Sequence, residues 1–86
     1  MKVLLPTPLA GYTAGRREVE ARGATLAEAL SDLDRQFPGI AFRVVDEQGA
    51  IRPHIKFFVN RAMARTLSVR LATGDEILVV AALSGG

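Results

Sequence analysis

The sequence contains neither cysteine nor tryptophan, and its one histidine is His54. Without cysteine there is no disulfide, no iron–sulfur cluster, no thiolate zinc site and no thiol nucleophile. One histidine does not make a metal site by itself, and a chain of 86 residues has little depth for a pocket of about 300–1,000 Å³. We therefore expect a protein with no catalytic residues of its own, no metal site and no bound cofactor.

A long apolar run and a cluster of basic residues are also absent. No stretch approaches the roughly 18–20 apolar residues that span a bilayer, and the first residues lack the pattern of a signal peptide. The net charge is only +2, and the adjacent pair Arg16-Arg17 is followed at once by Glu18 and Glu20. These absences predict a soluble, cytoplasmic protein whose partners include neither a membrane nor a nucleic acid.

The composition that is present, 49% hydrophobic and 23% charged, is typical of a small globular domain. Residues 2–9 begin as a strand, which Pro6 and Pro8 stop early because proline cannot donate to a ladder of hydrogen bonds. Residues 11–17 are expected to form a loop. Residues 17–21 alternate polar and apolar side chains, as in a half-buried strand, and we expect the two strands to form a hairpin.

The clearest local signal predicts a helix over residues 25–37. Thr25 and Glu28 have the spacing of a capping box, in which the hydroxyl accepts from an early backbone N–H and the carboxylate reaches back. The apolar residues then recur at helical spacing and form one stripe: Leu26, Ala29, Leu30, Leu33 and Phe37. Pro38-Gly39 ends the helix.

The second half of the chain predicts mostly strands. Residues 40–53 predict a short helical turn or loop, packed by Phe42 or Val44, with a turn at 46–49. The later elements are a strand at 54–60 with Ile55, Phe57 and Val59 on one face, a tight turn at Asn60-Arg61, a short return strand at 62–64, a turn at 73–75 and a strand at 76–83. The last strand is apolar on both faces, as expected at the centre of a sheet.

This order of elements favours an α+β roll, because one helix cannot cover both faces of a sheet. If the first and last strands lie side by side and parallel, the chain between them supplies the long crossover that parallel pairing requires. That is the β-grasp arrangement, a mixed sheet of four to five strands over one main helix. We expect the domain to cover residues 1–82, with residues 83–86 as a flexible tail.

The end of the chain is its most informative feature. After Glu76 come ten uncharged residues, the last three being Ser84, Gly85 and Gly86. A terminal Gly-Gly arises by chance in roughly 0.5% of chains. Two terminal glycines do not pack, but they form a thin tail whose carboxylate can enter a narrow channel. The alternative interpretation is a frayed terminus without function.

Several motifs resemble those of the MoaD/ThiS family of ubiquitin-like sulfur carriers, over essentially the whole chain. The motifs are Gly74-Asp75-Glu76-Ile77 followed by an apolar run and Gly85-Gly86, the opening Val3-x-Leu5-Pro6-Thr7, and Gly39-Ile40 with Arg52-Pro53-His54-Ile55-x-x-Phe58-Val59-Asn60. The last two are most similar to the branch that serves cysteine biosynthesis, the CysO-type carriers. Arg61 is a departure, since many relatives carry Gly or Asp after the Asn, and it affects the expected turn geometry.

The resemblance implies a function for the terminal carboxylate. An adenylating enzyme of the ubiquitin-activating type would use ATP to activate Gly86, and a sulfur donor, a desulfurase or rhodanese-like protein, would convert it to a thiocarboxylate. The residues Leu83, Ser84, Gly85 and Gly86 would enter the partner's active site. A sulfur-accepting synthase would then receive the sulfur, and a peptidase would expose Gly86 where it is not encoded last.

The sequence leaves the acceptor and two other functions open. The acceptor is an activated serine derivative for cysteine, a molybdopterin precursor, thiazole, or a specialised metabolite such as a thiosugar. The second function is that of a protein modifier joined through Gly86 to lysines of other proteins. The third is a nucleic-acid or scaffold module with an accidental tail.

Alternation along the strands also predicts a partner interface. If Ile55, Phe57 and Val59 face the helix, Phe58 lies on the opposite face. Leu78 and Val80, or in the other phase Ile77 and Val79, would join Phe58 there. An uncovered apolar patch usually marks a partner surface, the alternative being cover by residues 40–53. His54 is expected to be a surface or hydrogen-bonded residue outside the site.

Overall fold

A computed structural model describes residues 1–82. The elements in chain order are β1 (Lys2–Leu4), a 3-10 helix (Thr7–Thr13), β2 (Glu18–Glu20), α1 (Leu26–Gln36), α2 (Ile40–Val44), β3 (Ile55–Val59), β4 (Ala62–Ala64) and β5 (Glu76–Ala81). Within this range, none of the helices combines the length and the apolar composition needed to cross a membrane.

The strands form one five-stranded sheet in the order β2-β1-β5-β3-β4. β1 and β5 are parallel neighbours, and the other pairs are antiparallel. The long chain between β1 and β5 carries the helices, which supplies the crossover that parallel pairing requires. The α+β class and the β-grasp arrangement are therefore confirmed, with the last strand at the centre of the sheet.

The main helix begins and ends as its sequence predicts. The Thr25 hydroxyl accepts from the Glu28 backbone N–H at 3.2 Å, and the Glu28 carboxylate accepts from the Ala24 backbone N–H at 3.0 Å. Glu28 thus reaches the residue before the cap, which satisfies one more donor at the helix start. The stripe is buried through its first four members, Leu26, Ala29, Leu30 and Leu33, while Phe37 is half-buried at the end of the helix.

The side of the sheet that faces α1 contains the core, and we call it the inner face. Phe57 is 0% exposed and Ile77 is 1% exposed, and Val3 and Val79 are buried beside them. Burying one side chain of this kind stabilises the fold by about 1.5–3 kcal/mol. Ile55, Phe57 and Val59 lie on this face, as predicted, with Val59 half-buried near the turn.

The segment after β1 differs from its prediction. The predicted strand over residues 2–9 ends at Leu4, and a 3-10 helix spans Thr7–Thr13, which includes the first residues of the predicted loop 11–17. Pro8 is tolerated at its first turn because the N–H that proline lacks has no helical partner there. The burial of Leu9 and Thr13 explains why the segment is ordered, and the Thr13 hydroxyl also donates to the Ala10 carbonyl at 3.1 Å.

In the segment 40–53, the predicted helical turn is α2, and of the two candidate packing residues only Val44 is correct. Val44 and Ile40 are buried, whereas Phe42 is 57% exposed. Positions four apart share one face of a helix, and the residue midway between them points to the other side. The Asp34 carboxylate accepts from the Gly39 and Ala41 backbone N–H groups, at 3.0 and 3.1 Å, and holds the start of α2.

The turn between β3 and β4 forms although Arg61 occupies its second position. Asn60 has φ 49° and Arg61 has φ 74°, so both lie in the left-handed region that two-residue hairpins need. Arginine adopts this conformation at a cost of about 1 kcal/mol or more, which a glycine would avoid. Asn60 offsets this cost locally, because its side-chain oxygen accepts from the Glu76 backbone N–H at 3.0 Å.

The strand β5 ends at Ala81. The predicted strand extended to residue 83, which lies outside the described residues. Ala82 is not in the strand, but its backbone N–H donates to the His54 carbonyl at 2.8 Å. This bond continues the pairing of β5 with the chain at the start of β3.

Candidate functional site

The described part of the chain stops four residues before the predicted reactive group. Leu83, Ser84, Gly85 and Gly86, the predicted tail, all lie outside the described residues. β5 is hydrogen-bonded to β1 on one side and β3 on the other, so the described chain ends just after the central strand of the sheet. Four extended residues span at most roughly 13–14 Å. An enzyme that binds Gly86 must therefore bring its own surface close to Ala82.

The side of the sheet opposite α1, which we call the outer face, has a row of apolar side chains across four strands. Register places Leu4 beside Leu78, Leu78 beside Phe58, and Phe58 beside Met63. Directly opposed residues on neighbouring strands share one face, so these four side chains form a continuous apolar row. Val80 lies on the same face, opposite Lys56.

The apolar row is accessible to a partner. Leu78 is 38% exposed and Met63 is 43% exposed, while Phe58, Leu4 and Val80 are half-buried. Charged side chains flank it, since the Lys2 ammonium lies 4.0 Å from the Glu18 carboxylate and 3.9 Å from the Glu76 carboxylate. An apolar centre with a charged rim is the usual composition of a protein–protein interface.

The structure decides between the phases that the sequence left open. Phe58, Leu78 and Val80 lie on the outer face, and the alternative pair, Ile77 and Val79, is buried in the core. Cover by residues 40–53 is also the wrong alternative, because α2 packs against α1 and the 3-10 helix and Leu78 stays exposed. The function of these side chains as an interface stays a prediction.

A second surface lies where β5 ends. The 3-10 helix, α2 and the residues before β3 surround an open groove of about 480 Å³. We call it the basic groove, and its lining includes Pro8, Phe42, Arg43, Arg52, His54 and Ala82. Two arginines and a histidine line it, and no carboxylate does so among the described residues.

Both arginines of the basic groove are held by aromatic rings. The Arg52 guanidinium carbon lies 4.8 Å from the centre of the Phe42 ring, and its Nε donates to the Phe42 carbonyl at 2.8 Å. The Arg43 guanidinium carbon lies 5.9 Å from the centre of the Tyr12 ring. Stacking of this kind orients a guanidinium and leaves its outer N–H groups for another acceptor.

Asp46, the acidic residue whose pKa is influenced by Arg52, already accepts hydrogen bonds from the backbone. Backbone N–H groups of Ala50 and Gln48 donate to the Asp46 carboxylate, at 3.0 and 2.9 Å, and hold its pKa below the ordinary value. The charge of Arg52 adds a smaller effect in the same direction. His54 is exposed, as expected, and its carbonyl rather than its ring makes the bond to Ala82.

Sequence reasoning missed several members of these two surfaces. Leu4 and Met63 could have been found by extending the alternation of Phe58 to the neighbouring strands. Arg43 and Arg52 could not have been found in this way, because they are nine positions apart and only the turn at 46–49 brings them to the same groove. Within residues 1–82, no group of three histidines, aspartates or glutamates is placed to hold a metal ion.

Comparison with known proteins agrees with this architecture. A model of the ThiS family matches residues 3–86. The sulfur carrier protein CysO of Mycobacterium tuberculosis is 33% identical over 89 residues, covering 98% of this chain and 96% of the relative.

Two solved structures extend the comparison. The Amycolatopsis orientalis BexX/CysO complex contains a chain with TM-score 0.92 and 33% identity, covering 99% of this chain and 98% of that one. Small archaeal modifier protein 1 of Haloferax volcanii has TM-score 0.75 and 32% identity, covering 96% and 97%. The family match extends from the first strand through the Gly-Gly end, and the fold agrees throughout; the chain therefore belongs to the ThiS family and has the ubiquitin-like β-grasp fold.

Proposed function

We propose that this protein is a sulfur carrier whose reactive group is the carboxyl group of Gly86. The carboxylate oxygen attacks the α-phosphate of ATP in the active site of an adenylating enzyme, and pyrophosphate leaves. The terminal sulfur of a persulfide on the sulfur donor then attacks the carbonyl carbon, and AMP leaves. A second thiol attacks the donor's sulfur in the resulting acyl disulfide, so that a disulfide forms and the thiocarboxylate is released. The thiocarboxylate sulfur is finally transferred to a biosynthetic acceptor held by a synthase.

The observation that carries this proposal is the family match through the Gly-Gly end. A carboxylate is a poor acyl donor, so activation by ATP is chemically necessary before sulfur can be added. Glycine at the last two positions leaves no Cβ to obstruct attack at the carbonyl carbon. These steps require no general acid, general base or nucleophilic side chain from the carrier, because its partners supply the catalytic groups.

The body of the domain supports the same function by presenting the tail. β5 is paired on both sides, and the bond from Ala82 to the His54 carbonyl ties down the last described residue. A partner that binds the outer face therefore receives the tail at a defined place. Such preorganisation lowers the entropy lost when the tail enters an active site.

The acceptor to test first is the activated serine derivative that leads to cysteine. Relatives that are 33% identical over nearly their whole length are named sulfur carrier protein CysO. The CysO of Amycolatopsis orientalis forms a complex with BexX. A molybdopterin precursor, thiazole and a thiosugar are the other acceptors to assay.

A second function, conjugation through Gly86 to lysines of other proteins, is favoured by one observation. The similarity to small archaeal modifier protein 1 covers 96% of this chain at 32% identity. The same activated carboxyl group would then be attacked by an amine in place of a sulfur nucleophile. Intact-mass measurement separates the two functions, because replacement of one oxygen by sulfur and attachment to a lysine give different masses.

The experiment that tests the carrier function changes only the tail. An added alanine after Gly86, or Gly85→Val, should abolish ATP–pyrophosphate exchange by the organism's adenylating enzyme. The added residue displaces the terminal carboxylate from the α-phosphate, and the valine side chain crowds the carboxyl group of Gly86. Gly11→Ala is the matched control, since a Cβ at this exposed glycine meets no atom within 4 Å. Exchange at the wild-type rate in both tail variants would exclude the proposed function.

A further inference from the structure

The basic groove takes no part in the proposed terminal chemistry, yet it lies at the end of β5, where the described residues stop. Ala82 is part of its lining, and Gly86 is four residues further along the chain. Since those residues span at most roughly 13–14 Å, the enzyme surface around the active-site entrance must approach the groove. The groove is therefore continuous with the contact that the proposed function requires.

The composition of the groove indicates the chemistry of its occupant. Arg43 and Arg52 carry positive charge, and no carboxylate lines the groove in the part of the chain that the structure describes. The Phe42 ring, 57% exposed, is the most exposed of the large apolar side chains described. Arginine and aromatic side chains are enriched at the centres of protein interfaces, where arginine pairs with carboxylates.

The groove is also preorganised for a carboxylate. The Nε of Arg52 is used by the Phe42 carbonyl at 2.8 Å, which fixes the plane of the guanidinium. In the described part of the chain only this side-chain nitrogen of Arg52 makes a hydrogen bond, so the two terminal nitrogens are left as donors, and such a pair can bind a carboxylate through two parallel hydrogen bonds. Arg43 adds a second positive charge, oriented by the Tyr12 ring.

We propose that the basic groove binds an acidic segment of the adenylating enzyme, in which a carboxylate meets Arg52 and Arg43 and an adjacent apolar side chain meets Phe42. This contact is separate from the apolar row of the outer face, and it fixes the root of the tail relative to the active site. The inference rests on the proposed function, because it concerns the enzyme that adenylates Gly86.

Charge changes in the groove test this inference. Arg43→Glu and Arg52→Gln should each raise the KM for the carrier in ATP–pyrophosphate exchange, by about tenfold for the charge reversal, while kcat is retained. Arg70→Glu is the matched control, because Arg70 is exposed and lies beside Thr25 at the start of α1. Increasing salt should raise the KM of the wild-type chain more steeply than the KM of a chain that carries both Arg43→Glu and Arg52→Gln.

Folding is separated from binding by the choice of variants. Arg52→Gln removes a bond to the backbone, so its melting temperature is measured alongside. Arg43→Glu, in the part of the chain that the structure describes, removes only stacking on the Tyr12 ring. If Arg43→Glu and Arg52→Gln both have the same KM as wild type and Arg70→Glu, and the wild-type chain supports exchange, the inference is overturned and the proposed function stands. Absence of exchange with the wild-type chain overturns the proposed function and this inference together.

Discussion

The inner and outer faces of the sheet are built from alternate residues of the same strands, and they differ in exposure. Phe57 is 0% exposed, and Phe58, its neighbour in the chain, is half-buried. On β5, Ile77 is 1% exposed and Leu78 is 38% exposed. In these two pairs the residues on the two faces are of the same kind, so hydrophobicity alone does not distinguish the apolar side chains, although the outer face also carries charged residues such as Lys2, Lys56 and Glu76. The helix α1, which covers the inner face only, makes the difference.

This contrast separates two kinds of apolar side chain. Those on the inner face are removed from water in the folded monomer and stabilise it. Those on the outer face stay accessible, and an apolar patch exposed on a small domain commonly marks a surface that a partner covers. Substitutions on adjacent residues of one strand should therefore affect different measurements.

Phe57→Ala should have the largest effect, a loss of about 3–5 kcal/mol in the free energy of unfolding. The substitution leaves a cavity under α1 that the surrounding side chains fill only in part. For a domain of this size the loss approaches the whole stability. Urea denaturation followed by circular dichroism measures it, and an unfolding midpoint like that of wild type would contradict the assignment of the core to the inner face.

Phe58→Ala should weaken binding to the adenylating enzyme and to the synthase by about 1–3 kcal/mol, a loss typical of a central interface residue. The fold should be retained, because Phe58 lies outside the core that α1 covers. Calorimetric titration measures the binding, and a thermal melt measures the stability.

Leu71→Ala is the control for this substitution. Leu71 is half-buried like Phe58, but it packs against the core near Ala24 and not on the outer face. Equal affinity in Phe58→Ala and wild type would show that the outer face is not the interface. If Phe58→Ala unfolds the chain, the side chains of the outer face are needed to stabilise the fold.

Asp75→Asn should have the smallest effect, since it weakens two exposed hydrogen bonds, one within the turn before β5 and one to the turn after β3. The Asp75 carboxylate accepts from the Ala72 backbone N–H at 2.7 Å and from the Asn60 side-chain amide at 2.9 Å, and these bonds lower its pKa. A carboxyl group with a lowered pKa in the folded state stabilises the fold above its unfolded pKa. That stabilisation is lost as the pH falls through the folded pKa.

The difference between wild type and Asp75→Asn should therefore be present near neutral pH and shrink toward about pH 3. Urea midpoints at the two pH values measure it. Asp32 and Asp46 also have lowered pKa values, but they are the same in both chains and cancel in the comparison. A difference that grows as the pH falls would contradict this assignment.

Local patterns predicted most of the fold. The capping box and the stripe that includes Leu30 and Leu33 predicted α1 to within a residue at each end, because these signals depend only on neighbours within one or two turns. Strict alternation predicted that Phe57 and Phe58 lie on opposite faces. The doubly apolar last strand predicted the central position of β5.

The parts that were missed depend on contacts between distant residues. The 3-10 helix at Thr7–Thr13 is ordered by the burial of Leu9 and Thr13, which a pattern of prolines and glycines does not reveal. The choice between Phe42 and Val44 depended on which side of α2 meets α1. The basic groove needs two arginines nine positions apart to lie in one place.

The sequence by itself determined the positions of α1 and the strands, and through its Gly-Gly end it predicted the reactive group, because a helix cap, a two-residue period and a Gly-Gly end are local properties of the chain. Only the tertiary structure decided which apolar side chains are available to a partner. One helix covers one face of the sheet, so the same alternation that buries Ile77 leaves Leu78 at the surface. Whether a side chain is buried depends on which element packs against it, and the identity of a single residue does not specify that.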